Sequence, residues 1–320
     1  MNPEVTLPDG RVVLGTMTFG DSIGESDAAS VLDIYLSAGG RHVDTANGYA
    51  GGASEEILGS LLRGRDDLFV ASKVGIPHPD SEGFPPLSRE AILRSIDGSL
   101  RRLGRDQIDL YYLHQPDPDT PILETLETLA GLLQEGRIRS WGLSNFASWQ
   151  LVDLANNASS IGLAAPLASQ QMYNAICRKI EDEFVAAAKY AATPIIAYNP
   201  LAGGLLTDRH RYENKPQHGR FGEGRLGAMY IERYWDPRIF EAIDRLRTVV
   251  GRSGLSMAEL SLRWLLSKPQ ISGLLVGGSQ TNHVAENLDM AAKGQLDAEL
   301  VSAVDAIGNW LAGPVPHYKR

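Results

Sequence analysis

Cysteine is almost absent. The chain carries one, Cys177, which excludes an intrachain disulfide and a site built from several thiolates. Positive charge is also in deficit. Lys and Arg number 30 against 39 Asp and Glu, a net charge of -9, which argues against a general nucleic-acid or membrane-surface binder but leaves room for a local basic pocket. No apolar run approaches the roughly eighteen residues that a membrane helix needs. The opening MNPEVTLPDGRVVLG has no basic segment leading into an apolar core, so no signal peptide is expected. These absences fit a reducing compartment and predict a cytoplasmic protein. The sequon Asn157-Ala158-Ser159 is then accidental. A hydrophobic content of 43% is enough for a sizeable core.

Short apolar runs alternate with helical patterns along most of the chain. Strands are expected at Arg11–Thr16, Arg41–Asp44, Phe69–Lys73, Ile108–His114, Ser140–Ser144, Leu167–Gln171, Pro194–Tyr198 and Gly273–Val276. Helices are expected between them. Asp27 is the expected N-cap of the first, Ala28–Ala38, and Ser88 caps a long one running to Leu103. In the latter, Ile92, Ile96, Leu100 and Leu103 share one face. Alternation of this kind implies parallel pairing through crossovers, and eight strands in this length favour a closed (β/α)8 TIM barrel over an open sheet. A single domain spanning residues 1–320 is expected, with a polar excursion at about 207–236 and a C-terminal tail at about 301–320. Gly222–Gly227 matches G-x-G-x-x-G by letter. It lies in the polar excursion, follows no expected strand and opens no expected helix, so it is not read as a dinucleotide fingerprint.

The chemistry collects at strand ends, which converge on one mouth in a barrel. Asp44, Lys73 and His114 each close an apolar run, and Tyr49 follows Asp44 by five residues. Tyrosine is a weak acid at neutral pH. A neighbouring ammonium favours its phenolate and is expected to lower its pKa. A carboxylate keeps that ammonium in place, and a histidine can orient a carbonyl oxygen. The set suits proton delivery during hydride addition to a carbonyl. The pair His42 and Asp44 also allows a metal-dependent barrel hydrolase, since alternate strand residues point the same way. Ser144, Asn145, Gln171 and Tyr198 at later strand ends are poor metal ligands, however, and good partners for a carboxamide and an aromatic ring. No metal site is expected.

The segments HVDTANGY, FVASK, DLYYLHQPD, GLSNF, SQQMYN and AYNPLAGGLLT, in that order, resemble the aldo-keto reductase superfamily. YNPLAGGLLT, the GRF at Gly219–Phe221, YWDPRIFEAI, LRW and the ending PHYKR are similar to its aflatoxin aldehyde and succinic semialdehyde reductase branch. The resemblance implies a catalytic tetrad of Asp44, Tyr49, Lys73 and His114, with Tyr49 as general acid. It implies NADPH as cofactor, with NADH not excluded. Ser144, Asn145 and Gln171 would bond the carboxamide, and Tyr198 would stack on the nicotinamide. Asn199, Leu201, Gly203 and Leu205 would border the pyrophosphate. Gly277, Gly278, Ser279, Gln280, His283, Glu286 and Asn287 would hold the adenosine half. Many relatives place Lys or Arg in that last stretch, and this chain places none there.

Met17, Phe19, Trp141, Tyr230 and Trp235 are candidate walls of the substrate pocket, and Arg220 and Arg320 are candidate carboxylate ligands. The expected partner is a small carbonyl compound, with neither nucleic acid nor membrane, and the protein is expected to act as a monomer or homodimer. The competing function is a non-catalytic cofactor-sensing subunit, because barrels of this family also serve as ion-channel β-subunits.

Overall fold

The expected runs form eight short parallel strands, buried on both faces because one looks into a barrel and the other onto helices. The structure, a computed structural model, describes residues 5–223 and 226–314. The strands are β1 (Val12–Gly15), β2 (His42–Asp44), β3 (Phe69–Val74), β4 (Leu110–Leu113), β5 (Trp141–Ser144), β6 (Ser169–Met172), β7 (Ile195–Tyr198) and β8 (Ile271–Val276). They close in sequence order, with β8 returning to β1 through Val12 opposite Leu274.

The helices are α1 (Glu25–Ser37), α2 (Ala53–Leu61), α3 (Arg89–Leu103), α4 (Ile122–Gln134), α5 (Ser148–Ser160), α6 (Phe184–Tyr190), α7 (Gly227–Tyr234), α8 (Pro237–Ser253), α9 (Met257–Leu266), α10 (Thr281–Ala292) and α11 (Ala298–Ala312). No helix among the described residues is long and apolar enough to cross a membrane.

The period of two along each strand divides the core. Val13, Phe69, Ala71, Leu110, Tyr112, Ala168 and Ile196 form a cluster inside the barrel. Leu14, Val43, Val70, Leu113, Trp141, Leu143 and Ile195 belong to the larger layer that the helices cover.

Local signals set several boundaries. Ser88 Oγ accepts from Ala91 N at the start of α3, and Gly104 ends that helix at φ 63°. α1 departs from expectation. It starts two residues before the expected cap, with Gly24 at the N-cap position, and Asp27 lies in the first turn instead. An acid there still faces the positive end of the helix.

The excursion also holds more structure than its polarity implied. A 3-10 turn at Gly219–Phe221 precedes α7, and Gly227, the last glycine of the discounted motif, opens that helix. A Cβ on Gly227 would lie 1.8 Å from the Gly222 carbonyl oxygen, so that glycine serves close backbone packing. Phe221, Tyr230, Tyr234, Trp235 and Phe240 hold the segment down, with ring centroids 4.8–6.5 Å apart. α11 begins before the expected tail, and Arg320 lies outside the described residues.

Candidate active site

Parallel strands all end at one mouth, and three of them deliver the ionisable groups there. Asp44 ends β2, Lys73 lies near the end of β3 and His114 directly follows β4. Asp44 is fully buried and Lys73 is 1% exposed. The Lys73 ammonium donates to Asp44 Oδ1, to the Thr45 carbonyl at 2.9 Å and to the Tyr49 hydroxyl at 3.0 Å. All three ammonium protons are therefore used. The Tyr49 and His114 rings meet edge to face with centroids 5.7 Å apart. Tyr49 reaches this position through a tight turn in which Ala50, Gly51 and Gly52 all adopt positive φ.

The electrostatics correct one expectation. Burial raises the Tyr49 pKa above the ordinary phenol value, and the Lys73 charge and hydrogen bond only pull it part of the way back. Tyr49 is thus a neutral phenol at neutral pH. Burial works against the Lys73 ammonium, but Asp44 and Tyr49 outweigh it and hold its pKa above the ordinary value. Burial, with Lys73 as a second cause, keeps His114 well below the usual imidazole range, so its ring is neutral. His114 Nδ1 is buried with no hydrogen-bond partner among the described residues.

The next strand ends interlock beside this cluster. Asn145 follows β5 at φ 64° and Asn199 follows β7 at φ 59°, a conformation that asparagine tolerates better than most residues. Asn145 Nδ2 donates to the His114 carbonyl at 2.9 Å and to Ser144 Oγ at 3.0 Å, and its Oδ1 accepts from the Tyr198 hydroxyl. Asn199 Oδ1 accepts from Gly203 N at 2.8 Å, which pins the glycine turn after β7. Leu201 is half-buried and Leu205 fully buried in that turn. Gly203 has φ 68°, and a Cβ there would lie 2.6 Å from the Tyr230 ring.

Across the mouth, Gly277–Gln280 leads into α10. A Cβ on Gly277 would come within 2.9 Å of the Gly15 carbonyl oxygen, and one on Gly278 within 3.0 Å of Val284. Ser279 and Gln280 are exposed, His283 is half-buried, Glu286 exposed and Asn287 buried. The Gln280 side chain caps nothing, so the first N–H groups of this twelve-residue helix have no side-chain partner at the cap. Exposed backbone at a glycine turn, opening a helix N-terminus, fits a phosphate-bearing nucleotide.

Strand parity separates the remaining candidates. Trp141 is not a pocket wall. It shares the helix-facing side of β5 with Leu143, is 1% exposed, and donates from Nε1 to the Ala164 carbonyl at 2.9 Å. Phe19 is likewise enclosed in that outer core, while Met17 beside it is half-buried. On β6, Gln171 donates to the Phe146 carbonyl and to Ser169 Oγ. Its neighbour Gln170 reaches into the barrel and donates to Asp44 Oδ2. Sequence reasoning passed over Gln170, although Ala168 two residues earlier signals an inward face.

Sequence reasoning also missed Arg233. Its charge acts on Tyr198, Cys177 and Tyr234, and its guanidinium lies 5.8 Å from the Tyr230 ring centroid. Arg220 lies at the same distance from that ring. Neither arginine has an acidic partner among the described residues. Tyr230 is close enough to Tyr49 to influence its ionisation. Trp235 packs within the aromatic cluster and donates to the Tyr212 carbonyl at 3.2 Å. Among the described residues no three His, Cys, Asp or Glu side chains gather where they could hold a metal ion. His42 lies below Asp44 against Phe69, where burial lowers its pKa to about 3.

A closed eight-stranded parallel barrel with this buried Asp–Lys–Tyr–His cluster at its mouth defines an oxidoreductase class. The sequence profile of the aldo/keto reductase family matches residues 11–309, and the chain belongs to that family. It is 36% identical to aflatoxin B1 aldehyde reductase member 2 of Rattus norvegicus, over 96% of this chain and 87% of that protein. It is 34% identical to aldo-keto reductase family 7 member A3 of Homo sapiens over the whole of both chains. A probable voltage-gated potassium channel subunit beta of Oryza sativa subsp. japonica is 29% identical over 91% of this chain and 90% of that protein.

Proposed function

We propose that this chain is an NADPH-dependent reductase of aldehydes, in which Tyr49 is the general acid. One observation carries the reading: a fully enclosed ammonium, that of Lys73, is bonded at once to a carboxylate and to the tyrosine hydroxyl. NADPH supplies the hydride when bound. Ser144, Asn145 and Tyr198 would receive its nicotinamide end, the turn after β7 its pyrophosphate, and Gly277–Gln280 with the start of α10 its adenosine end.

The remaining work falls to the protein's own groups. A neutral His114 N–H holds the substrate carbonyl oxygen without competing for its proton. As negative charge develops on that oxygen, Tyr49 delivers its hydroxyl proton. The resulting phenolate is stabilised by the Lys73 ammonium 3.0 Å away. Asp44 keeps that ammonium charged and aimed. Burial keeps water from Asp44 and Lys73 and strengthens the interaction between them, while Tyr49 is half-buried beside them.

Arg220 and Arg233 suggest a substrate preference. Two guanidiniums over one tyrosine ring, with no acidic partner among the described residues, suit a substrate that carries a carboxylate. A cofactor-sensing subunit is the alternative, and it rests on the resemblance to the channel β-subunits. The test is direct. Purified protein is given an aldehyde panel with NADPH and with NADH. Steady cofactor oxidation that depends on the aldehyde supports the reductase. Tight cofactor binding without turnover on any aldehyde refutes it in favour of the subunit.

A further inference from the structure

Arg102 threads between two helices. It lies in the last turn of α3, and its side chain runs back along that helix past Gly98. Its Nε donates to Glu55 Oε2 at 2.8 Å and its Nη2 to Asp80 Oδ2 at 2.7 Å. Glycines make the room: a Cβ on Gly52 would lie 3.1 Å from Arg102 Cδ, and one on Gly98 3.0 Å from its Nη1. Glu55, fully buried in the first turn of α2, turns its other oxygen to β3, where Oε1 accepts from Ser72 Oγ. Ser72 precedes Lys73 on that strand, so its side chain faces the helices while that of Lys73 faces into the barrel. Gly52 ends the turn that carries Tyr49. Ala50 in that turn holds φ 49°, a conformation that a residue with a Cβ keeps only where its surroundings enforce it. One support is the loop after β1, where a Cβ on Gly20 would lie 2.7 Å from Ala53 Cβ and 3.4 Å from Ala50 Cβ. The other is Arg102, set against Gly52 and tied through Glu55 to β3. Tyr49 and Lys73 meet from two separate elements, so their 3.0 Å contact depends on how α2 sits against β3.

We infer that Glu55 and Arg102 are positioning residues: the carboxylate joins the first turn of α2 to β3 behind Lys73, the guanidinium locks it there, and together they hold the Tyr49 hydroxyl on the Lys73 ammonium. They act through the Tyr49 turn and β3, not on the reacting atoms. An arginine suits this place because its planar fork serves two carboxylates at once. Solvent does little to loosen the pair, since the Arg102 side chain is 7% exposed and that of Glu55 0%. This inference rests on the reductase reading for its kinetics, but it also has a readout without turnover.

The test grades the clamp with three substitutions. Arg102→Met removes the guanidinium. Arg102→Lys keeps the charge but not the fork. Ser72→Ala cuts only the link to β3 and leaves the ion pair in place. Turnover should fall roughly ten- to a hundredfold in Arg102→Met, the range that a misplacement of about 1 Å can produce. Arg102→Lys should recover part of that loss, and Ser72→Ala should show a smaller fall of the same kind. NADPH affinity by fluorescence quenching should stay within about twofold, since α2 and α3 follow β2 and β3, whereas the residues assigned to the cofactor follow β5, β7 and β8.

The second readout is the ultraviolet phenolate titration of Tyr49, taken as each protein minus its Tyr49→Phe counterpart. The subtraction removes Tyr111, whose ionisation also responds to Glu55 and Arg102. In Arg102→Met the Tyr49 pKa should rise, because the Lys73 charge that favours the phenolate is held less closely against it. Breaking an enclosed ion pair lowers stability wherever the pair lies, so Lys268→Met is the control. It breaks the Lys268–Asp305 pair just before β8, at the far end of the barrel from the mouth. It should lower the melting temperature without moving the Tyr49 titration. Wild-type turnover or an unmoved Tyr49 titration in a folded Arg102→Met, or an equal shift in Lys268→Met, would overturn the inference and leave the clamp as packing alone. If Arg102→Met does not fold, Ser72→Ala decides by the same two readings. If the wild type reduces no aldehyde with either cofactor, the reductase reading fails, and the phenolate titration still decides the role of the clamp.

Discussion

Lys73→Met removes the cation from a pair that water cannot reach, since Lys73 is 1% exposed and Asp44 0%. The carboxylate is left with the Gln170 amide alone. It has two ways to respond: stay ionised in an apolar enclosure, which typically costs about 3–5 kcal/mol, or take up a proton. Protonation sets the ceiling. An unfolded aspartate titrates near 3.9, so holding it neutral at about pH 7 costs roughly three pKa units, or about 4 kcal/mol. At about pH 5 the same cost is near 1.5 kcal/mol. The sign follows from proton counts. In the variant the folded state holds a proton on Asp44 that the unfolded state has released, so stability falls as pH rises above the unfolded value. In the wild type burial also raises the Asp44 pKa, but the Lys73 charge and hydrogen bond oppose that rise, so its stability falls less steeply with pH than the variant's. Urea unfolding of both proteins at the two pH values, followed by tryptophan fluorescence, measures the difference. We expect the gap to widen by up to about 1.4 kcal/mol per pH unit, a large share of a typical total of about 5–15 kcal/mol. Lys73→Met combined with Asp44→Asn should close most of the gap and remove its slope. A gap below about 1 kcal/mol, or one that does not change with pH, would mean that Asp44 and Lys73 are not the enclosed ion pair described here.

Tyr49→Phe should lower the reduction rate by at least about a hundredfold, the usual worth of a positioned acid, with cofactor affinity by fluorescence quenching nearly unchanged; near-normal turnover would remove Tyr49 from the mechanism. The rate should show no step in the ordinary histidine range near 6.5, because His114 stays neutral there, and should fall only at alkaline pH as the buried phenol ionises; a step that Tyr49→Phe leaves in place and His114→Gln abolishes would contradict this. Succinic semialdehyde should have a lower KM than butyraldehyde, by roughly ten- to a hundredfold, and Arg233→Ala or Arg220→Ala should erase the difference; equal efficiencies in the wild type would point to uncharged substrates. NADPH should bind more tightly than NADH, though modestly, since Ser279, Gln280 and His283 offer no fixed cation; tighter NADH binding in the same titration would refute the NADPH assignment.

The alternation of short apolar runs with amphipathic helices was enough to define the barrel, because a strand buried on both faces and a helix buried on one leave different periods in the sequence. Asp44, Lys73 and His114 were legible for the same reason: a polar residue that ends an apolar run must lie at a strand end, and all parallel strand ends share one mouth. The left-handed turns at Asn145 and Asn199, by contrast, are known only from the structure.

Tertiary structure alone decided the rest. Boundaries a residue or two out are harmless for a helix cap such as that of α1, but in a strand parity turns on the count. It put Trp141 against the helices and Gln170 onto Asp44. The excursion read only as a polar break in the alternation because its aromatics are spaced among polar residues, and their mutual contact is what holds α7 and Arg233 in place. The ionisation of Tyr49 was the furthest from reach. A sequence can name the lysine beside it, but the opposing cost of burial depends on how completely the folded chain excludes water, and here burial is the larger effect.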